Sequence, residues 1–389
     1  MKLVFFTNYL NHHQVLVADE LYRLLGDEFR FVATLPVNEN ELKGGVDYSS
    51  RPYCILASET DEARDKVFSL AREAEACVFG ACSQEFAVER AKHNPKGLSF
   101  EMGERWLKHG LLTFGSPVFR KWALNYIRYF RKANFHKLCC SSFTASDDAK
   151  LNAYVGRHYK WGYFTRVENS SVETGAQCVS TKGIVHILWC ARFLSLKHPE
   201  MAVYLAARLK SDGYEFLIDM YGDDGNLGSC DKVYPRVRLE ELVDKLGVKD
   251  CVNLKGSRSN TEILKAMREG DIFLFTSNRL EGWGAVANES IANGCVLVAS
   301  DEIGSSGYLI KHKITGLKFR SCNLDSLYEQ VKFLLDNPDE MKRISSNGRK
   351  HMAELWNPEN AAKSLLKLID SLSGQKKVSI IDGPCSKAE

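Results

Sequence analysis

The chain has 389 residues, enough for two domains that each bury a core of their own. Its 52 lysines and arginines stand against 49 aspartates and glutamates, and a formal charge of +3 argues against a nucleic-acid-binding surface. No apolar run reaches the roughly 18 residues of a membrane span, and the N-terminal run is too short for the core of a signal peptide. Since its 12 cysteines lack metal-type spacing, we expect reduced thiols and a cytoplasmic protein.

The first half alternates short apolar runs with amphipathic stretches, which predicts strands that feed crossover helices in a parallel sheet. The candidate strands are "KLVFFT", "FRFVAT", "ACVFGA", "GLSF" and "KLCCSS", and the predicted fold class is α/β. The stretch "HHQVLVADELYRLLG" predicts a helix with Leu16, Leu21, Leu24 and Leu25 on one side. We place this first domain over residues 1–162.

A polar stretch without helical or strand period, "GYFTRVENSSVETGAQCVST", follows and predicts a linker over residues 163–181. A second alternating series comes after it, with strands at "GIVHILWCA", "YEFLIDMYG", "CVNLKG", "DIFLFTS" and "VLVAS". This series predicts a second doubly wound sheet in a domain over residues 182–356.

The C-terminal region contains a helix break and a new helix start. Pro358 comes after Trp356 and Asn357, so one helix should end there and another should begin at an asparagine cap. A bend at this point would carry the last helix, residues 357–373, back to the first domain. The final residues, 374–389, have the composition of a flexible tail.

The strongest candidate site is the turn and helix "NRLEGWGAVANES", residues 278–290. Ligands of open α/β sheets bind beyond the carboxyl ends of the strands, and this turn follows the predicted strand "DIFLFTS". Gly282 and Gly284 let backbone amides approach an anion, and Glu281 lies just before the helix. Glu289 lies inside the helix among small apolar neighbours. Its carboxylate either faces solvent or is buried and needs a hydrogen-bonding partner such as a hydroxylated ligand.

Two other turns of the second half carry candidate residues. Arg192 and Lys197 come before a helix start, where two cations oppose the helix dipole. Either an anionic ligand or plain solvation explains them. The turn "YGDDGNLG" supplies Gly222, Gly225 and Gly228 without the spacing of a dinucleotide fingerprint, so a tight turn is the main interpretation and a phosphate-binding loop is the alternative. Its two aspartates have no evident third metal ligand.

The first half places polar side chains after two of its predicted strands. The segment "NYLNHHQ" follows the first strand, and histidine binds or exchanges protons near neutral pH. The segment "LSFEMGERW" brings two glutamates and Arg105 to the end of another strand. An ion pair of Arg105 with either glutamate is the structural alternative to a role in ligand binding. The candidates are Asn11, His12, His13, Glu101, Glu104 and Arg105.

The run "DIFLFTSNRLEGWGAVANESIANGCVLVASDEIGSSGYLI" resembles the signature of the retaining glycosyltransferases of family 4, in which two glutamates eight positions apart lie in a glycine-bearing turn and helix. The segments "ARFLSLKHPE", "YGDDG" and "VNLKGSRSNTEI" support the resemblance in the expected order, and it covers the whole second half. In the first half, "FFTNYLNHHQ", "FEMGERW" and "YKWGYF" resemble a bacterial subgroup associated with surface-polysaccharide assembly. "LSFEMGER" stands where family members often have a histidine.

The resemblance implies the GT-B fold, two facing Rossmann-like domains of which the second holds most of a nucleotide sugar. Arg192 and Lys197 would then neutralise the donor diphosphate, and Glu289 would accept hydrogen bonds from the ribose hydroxyls. Glu281 would hold the transferred sugar. The amides of Gly282, Trp283 and Gly284 would help hold it and the distal phosphate, and Gly222 and Arg258 complete the donor-binding set. The candidates of the first half would contact acceptor or phosphate.

The resemblance also implies a reaction: a glycosyl group moves from a nucleoside diphosphate sugar to an acceptor hydroxyl with retention. No metal or other cofactor is implied, because fixed cations and amides stabilise the departing diphosphate. The expected acceptor is a saccharide or a lipid-linked glycan of surface-polysaccharide biosynthesis. A nucleotide-sugar epimerase of the same two-domain architecture and a non-catalytic nucleotide-sugar-binding protein are the alternatives.

A membrane contact is a further open question. The stretch "PVFRKWALNYIRYFRKANFHK" mixes arginine and lysine with tryptophan, tyrosine, phenylalanine and isoleucine. Interfacial helices share this composition, so peripheral contact with the inner face of the membrane is one interpretation. An ordinary amphipathic helix packed on the sheet is the other.

Overall fold

The computed structural model describes residues 1–36, 48–82, 84–166, 183–224, 232–375 and 379–389. The chain divides into two compact units, one formed by Met1–Thr165 with Asn357–Glu389 and the other by Arg166–Trp356. Each unit contains a parallel β-sheet with helices between its strands, and the predicted α/β class is confirmed. Most of the predicted linker 163–181 lies outside the described residues.

The first unit is built on a seven-stranded parallel sheet with the order β3-β2-β1-β4-β5-β6-β7. The strands are β1 Leu3–Thr7, β2 Phe29–Ala33, β3 Cys54–Leu56, β4 Ala76–Phe79, β5 Leu98–Gly103, β6 Phe135–Cys139 and β7 His158–Lys160. The helices are Val15–Leu25, Asp61–Glu73, Gln84–His93, Pro117–Arg128, Thr144–Lys150 and Pro358–Leu372, with 3-10 helices at Gly26–Glu28, Leu107–Gly115 and Phe130–Lys132. All five residues of β1 are buried, as expected for a central strand covered on both faces.

The first helix buries a different stripe from the predicted one. Val17, Ala18 and Leu21 are buried in the helix Val15–Leu25, whereas Leu24 is 36% exposed. At about 100° per residue the four predicted leucines span half of the helix circumference, which is wider than the face that packs on the sheet. The leucine pattern therefore predicted the helix correctly but not which of its side chains are buried.

The second unit is built on a six-stranded parallel sheet with the order β10-β9-β8-β11-β12-β13. The strands are β8 Val185–Cys190, β9 Phe216–Tyr221, β10 Val252–Gly256, β11 Ile272–Phe275, β12 Val296–Ser300 and β13 Leu317–Phe319. The helices are Glu200–Ser211, Arg236–Lys245, Asn260–Glu269, Val286–Ala292, Ser306–Leu309, Leu324–Asp336 and Pro338–Glu354, and a 3-10 helix covers Ser195–Lys197. Across the described parts of both units, no helix has the length and apolar character that crossing a bilayer requires.

Three strands were not predicted from the sequence, and all three lie at sheet edges. Strands β3, β7 and β13 have three residues each and end the order of their sheets. An edge strand pairs on one side only, and a run of three residues is too short to show alternation or a continuous apolar stretch. Their position follows from pairing with a longer neighbour.

The C-terminal helix begins where the sequence predicted. The side chain of Asn357 accepts a hydrogen bond from the Asn360 amide at 2.8 Å, and Pro358 occupies the first turn. The helix Pro358–Leu372 packs on the helix Val15–Leu25 of the same unit, where Arg23 and Glu359 lie 3.9 Å apart.

Residues 385–388 pack against the first unit, in contrast to the flexible tail predicted over 374–389. Cys385 is 1% exposed, and its amide donates to the Lys160 carbonyl at 2.7 Å. The Lys160 amide donates to the Ser386 carbonyl at 2.8 Å, and Lys387 pairs antiparallel with Tyr159. These bonds pair backbone groups at the free edge of β7. Composition alone could not indicate that the last residues would pack there.

Candidate functional site

Lys197 and Glu281 meet at the carboxyl ends of the neighbouring strands β8 and β11. The Lys197 ammonium donates to the Glu281 carboxylate in a short ion pair, and the two side chains are 16% and 12% exposed. Lys197 closes the 3-10 helix that follows β8, and Glu281 lies in the turn that follows β11. The parallel order of the sheet thus joins residues that are 84 positions apart.

Backbone and side-chain hydrogen bonds lock these two turns together. The Thr276 hydroxyl donates to the Lys197 carbonyl at 2.6 Å and accepts from the Trp189 indole at 2.9 Å. The Asn278 amide donates to the Leu196 carbonyl at 2.9 Å. Lys197 therefore sits on a fixed backbone, which is the condition for a preorganised cation.

The glycine turn after Glu281 is held by close packing. Gly284 has a φ of +78°, and a Cβ atom there would lie 2.2 Å from the Phe275 ring. The Trp283 indole is buried, donates to the Asn288 side chain at 2.8 Å and lies 5.8 Å from the Trp356 ring. The indole belongs to the core of the unit, so the predicted role of Trp283 rests on its backbone amide. Gly282 is partly exposed between these residues.

Glu289 lies in a desolvated environment. The helix Val286–Ala292 buries Ala287, Asn288, Ser290 and Ile291 around it. Burial raises the pKa of the Glu289 carboxyl to about 7. The thiol of Cys190, at the end of β8, has a pKa raised to about 12 by burial and by the charge of Glu289. Glu289 is therefore not on a solvated helix face, which was one of the two interpretations of the sequence.

The two predicted arginines of this unit are exposed. Arg192 lies on the surface of the turn after β8, in contrast to the partly buried Lys197 of the same turn. Arg258 is also exposed and donates to the Ser257 carbonyl at 3.0 Å. The structure brings Lys197 and Glu281 into contact but leaves both arginines on the surface.

Gly222 allows the turn after β9 to pass close to the turn after β8. Its φ is +150°, and a Cβ atom would lie 1.9 Å from the Ala191 carbonyl oxygen. The Gly222 amide donates to the Gly256 carbonyl at 3.0 Å. The tight-turn interpretation of this segment therefore fits the structure, while Gly225 and Gly228 lie outside the described residues.

Among the residues that the structure describes, the two aspartates of this turn, Asp223 and Asp224, join no metal-binding cluster. Asp224 accepts from the Arg236 amide at 2.5 Å, at the start of the helix Arg236–Lys245. Within the described ranges, no three histidine, cysteine, aspartate or glutamate side chains come together in a group that could hold a metal ion.

The histidine segment of the first unit is arranged around His13. The Asn11 side chain accepts from the His13 amide at 3.0 Å, and the His13 ring stacks on Tyr163 with centroids 5.2 Å apart. Burial and the neighbouring His12 lower the pKa of His13 to about 3. His12 is exposed, and its pKa is lowered by partial burial. His13 is therefore a neutral ring near pH 7.

Arg105 pairs with an aspartate, so its structural alternative to ligand binding, an ion pair with Glu101 or Glu104, is wrong in its partner. Its guanidinium donates to both oxygens of Asp147, at 2.9 and 3.0 Å. The two side chains are 9% and 1% exposed, and Asp147 also accepts from the Leu107 amide at 3.0 Å. Because this bidentate ion pair is buried, the role of Arg105 is structural.

Glu101 is the centre of a buried polar cluster. It accepts from the Lys137 ammonium at 2.6 Å, the Trp122 indole at 2.9 Å and the Tyr154 hydroxyl at 2.7 Å. Glu101 and Lys137 are register partners on β5 and β6. Lys137 was not predicted from the sequence, although a lysine within the apolar strand "FHKLC" indicates a buried charge that needs a partner.

Glu104 faces a cavity of about 480 Å³ at the carboxyl ends of β4 and β5. It accepts from Lys108 and, at 3.0 Å, from the Tyr163 hydroxyl, which links it to the ring that stacks on His13. The cavity walls include Met102, Trp122 and Val118, next to the charged Glu101, Glu104 and Lys108. The first unit therefore offers a cavity with apolar and charged groups in its wall.

Residues 181–351 match the family model described as glycosyl transferases group 1. We call this segment, which is similar to group 1 glycosyl transferases, the group 1 domain. It contains Arg192, Lys197, Glu281 and Glu289, and it covers most of the second unit.

Curated relatives match this chain over part of their own length. The MMP alpha-(1->4)-mannosyltransferase of Mycolicibacterium hassiacum is 24% identical over 203 residues, which are 51% of this chain and 42% of that protein. An uncharacterized glycosyltransferase of Methanocaldococcus jannaschii is 30% identical over 125 residues, 32% of either protein. The matches span less than half of the length of these relatives.

Both units have a counterpart in solved structures. Anabaena HepE, crystallised in complex with UDP, is similar with a TM-score of 0.69 at 14% identity. The similarity covers 95% of this chain and 100% of HepE. The group 1 domain is thus part of a GT-B fold, as the sequence resemblance implied.

Proposed function

We propose that the chain is a retaining glycosyltransferase that moves a sugar from a nucleoside diphosphate sugar to an acceptor hydroxyl without a metal ion. The observation that carries this proposal is the Lys197–Glu281 pair at the carboxyl ends of β8 and β11, followed by the desolvated Glu289. The group 1 match of this segment supports it, as does the UDP bound by the similar HepE.

Lys197 is the principal cation for the donor diphosphate in this proposal. Its side chain is 16% exposed, and attraction between opposite charges is stronger in such a site than in bulk water. Glu281 holds the ammonium in place before the donor arrives, so little reorganisation accompanies binding. Arg192, on the surface of the same turn, adds a second and more exposed charge.

The two glutamates bind hydroxyl groups at opposite ends of the donor. Glu281 accepts from the transferred sugar, next to the phosphate that Lys197 neutralises. Glu289 accepts hydrogen bonds from the ribose hydroxyls. A buried carboxylate is stabilised most by donors that replace the hydrogen bonds to water that it lost on burial. The amides of Gly282, Trp283 and Gly284 lie between the two carboxylates in sequence and complete the phosphate contacts.

The reaction follows from these roles. The bond from the anomeric carbon to the distal phosphate oxygen breaks, and the acceptor oxygen bonds to that carbon on the same face. The acceptor proton passes to the departing phosphate oxygen, whose charge Lys197 stabilises. Both glutamates are engaged with hydroxyl groups, so neither serves as the nucleophile.

The acceptor is a saccharide or a lipid-linked glycan, in keeping with surface-polysaccharide biosynthesis. The cavity of about 480 Å³ in the first unit is of suitable size for a sugar. Glu104 offers a carboxylate to hydroxyl groups there, and His13 is a contact and not a proton donor, because its pKa lies at about 3.

The test is a transfer assay with a panel of nucleoside diphosphate sugars and saccharide acceptors. Lys197→Ala should lower kcat/KM by about 100-fold or more, the scale of losing one preorganised contact to developing charge. Lys265→Ala is the matched control, because Lys265 is 69% exposed on the helix Asn260–Glu269 of the same unit. Equal turnover of both folded variants would refute the role of Lys197.

The same assay separates the alternatives. A donor that changes into an isomer of equal mass without acceptor would show an epimerase. Stabilisation by a donor in a thermal-shift screen, with no turnover on any acceptor, would show a binding protein.

A further inference from the structure

The segment Leu107–Lys132 of the first unit concentrates exposed apolar side chains. It comprises the 3-10 helix Leu107–Gly115, the helix Pro117–Arg128 and the 3-10 helix Phe130–Lys132. Six of the fourteen exposed large apolar side chains in the described residues fall here, and Leu111 and Leu112 are 84% and 82% exposed. The six are Leu111, Leu112, Phe114, Val118, Leu124 and Ile127.

These side chains project from a packed scaffold. The inner face of the helix Pro117–Arg128 buries Phe119, Trp122 and Tyr126. The Phe114 and Phe119 rings lie 5.3 Å apart, which ties the preceding 3-10 helix to this one. The helix has therefore already buried one apolar face, and Leu124 lies on the opposite one, at about 100° per residue.

The same surface is positively charged. No aspartate or glutamate occurs between Glu104 and Asp147. Five exposed cations belong to the segment: Arg120, Lys121, Arg128, Arg131 and Lys132. None of these five pairs with a carboxylate among the described residues. We call these cations together with the six apolar side chains the apolar-basic surface.

We propose that the apolar-basic surface docks the protein peripherally on an anionic lipid bilayer. In a bilayer, acyl chains take up apolar side chains, and the headgroup phosphates next to them bind cations. A second copy of the chain is a poor partner, because a two-fold contact would bring the cations against their own copies. The charge complementarity thus selects an anionic lipid surface.

Docking also brings the cavity of the first unit to the headgroup layer. Val118 belongs to the apolar-basic surface and to the cavity wall, and Trp122 and Lys108 line the same wall. An acceptor with a lipid anchor would keep its chain in the bilayer while its head entered this cavity. This last step rests on the proposed function, whereas the docking itself does not.

The test is co-sedimentation of the full chain with large vesicles, either phosphatidylcholine alone or with about one third phosphatidylglycerol. The wild-type protein should bind the anionic vesicles at low salt at least tenfold more tightly than neutral vesicles, and salt should weaken binding. The variant Leu111→Ser/Leu112→Ser/Leu124→Ser should lose at least tenfold in affinity. The variant Lys121→Gln/Arg128→Gln/Lys132→Gln should lose the preference for anionic lipid.

Two variants of the second unit serve as controls for exposed side chains. Val237→Ser and Ile314→Ser change side chains that are 56% and 50% exposed, and both should bind like the wild type. Absence of wild-type binding to anionic vesicles at low salt would overturn the proposal. So would equal binding by the wild type and both triple variants, or a dimer that the serine triple variant dissociates without any vesicle binding.

A transfer assay in solution separates this proposal from the proposed function. The serine triple variant should transfer sugar to a water-soluble acceptor at the wild-type rate, because its positions lie outside the donor and acceptor contacts. Loss of vesicle binding with retained transfer supports docking. A protein that binds vesicles but transfers no sugar would refute only the proposed reaction.

Discussion

Glu289→Gln is the substitution that most directly tests the donor site. Glutamine keeps the size of the side chain and its capacity to accept a hydrogen bond, but it cannot ionise. In the folded chain the pKa of Glu289 is raised to about 7 by burial, against an ordinary value of 4.5. Burial therefore favours the protonated carboxyl, and ionisation costs the folded state free energy.

The sign and the size of the effect follow from proton linkage. The folded state holds the proton more tightly, so the free energy of unfolding falls as pH rises from about 4.5 to about 7 and is constant above. At about 1.36 kcal/mol per pH unit, the total reaches about 3 kcal/mol, an upper limit because Glu289 is partly exposed. The variant should thus be more stable than the wild type above pH 7, and of equal stability near pH 4.5.

The assay is urea unfolding of both proteins at intervals from pH 5 to 8.5, with the difference plotted against pH. The neighbouring Cys190 has a pKa raised to about 12 and stays a thiol over this range. Glu269→Gln is the control, because Glu269 is 67% exposed on another helix of the unit. A difference curve for Glu289→Gln as flat as that of the control would refute the desolvation of Glu289.

Donor binding supplies the second measurement. Ribose hydroxyls donate to the ionised carboxylate, so the wild-type affinity should increase up to about tenfold per pH unit below pH 7. The variant should bind about 10- to 100-fold more weakly at pH 8, the worth of a hydrogen bond to a charged group, and without this pH dependence. Equal donor affinity of the wild type and the variant at pH 8 would refute the proposal that Glu289 contacts the donor.

Two further substitutions test how the turns are held. Gly222→Ala should cost about 3 kcal/mol of unfolding free energy, because its Cβ would lie 1.9 Å from the Ala191 oxygen. Gly213→Ala is the control, because Gly213 has a φ of +81° but no atom within 4 Å of a Cβ placed there; it should cost only about 1–2 kcal/mol of unfolding free energy. Equal losses for both variants in urea unfolding would contradict the close contact between Gly222 and Ala191. Asp147→Asn should lower the free energy of unfolding by about 3–5 kcal/mol, because it leaves Arg105 without its charged partner. An unchanged melting temperature would contradict this structural role and leave Arg105 a candidate for acceptor binding.

The long central strands and the site turns were predictable because each has a local cause. Strand β11 is buried along all four residues, and such a run followed by glycines predicts both a strand and a ligand-binding turn. Asn357 and Pro358 predicted a helix start for the same reason, since a cap acts within one turn. The edge strands β3, β7 and β13 had no comparable local pattern.

The partners of charged side chains were not predictable, because they depend on which strands become neighbours. Arg105 has two glutamates close by in sequence, yet it pairs with Asp147, which lies 42 positions away. Glu101 finds Lys137 through the register of β5 and β6. A sequence shows which side chains need a partner but not which one the sheet order supplies.

The sequence by itself determined the α/β class, the position of the candidate site and the residue types present in it. Apolar periodicity, glycine and capping residues act over a few positions, so the fold class and the position of the site can be predicted from short stretches of sequence. Only the tertiary structure decided that Lys197 meets Glu281, that Glu289 is desolvated and that Arg192 stays exposed. Contact, burial and pKa depend on packing between distant segments, and parallel pairing of β8 with β11 is what brings the two turns together.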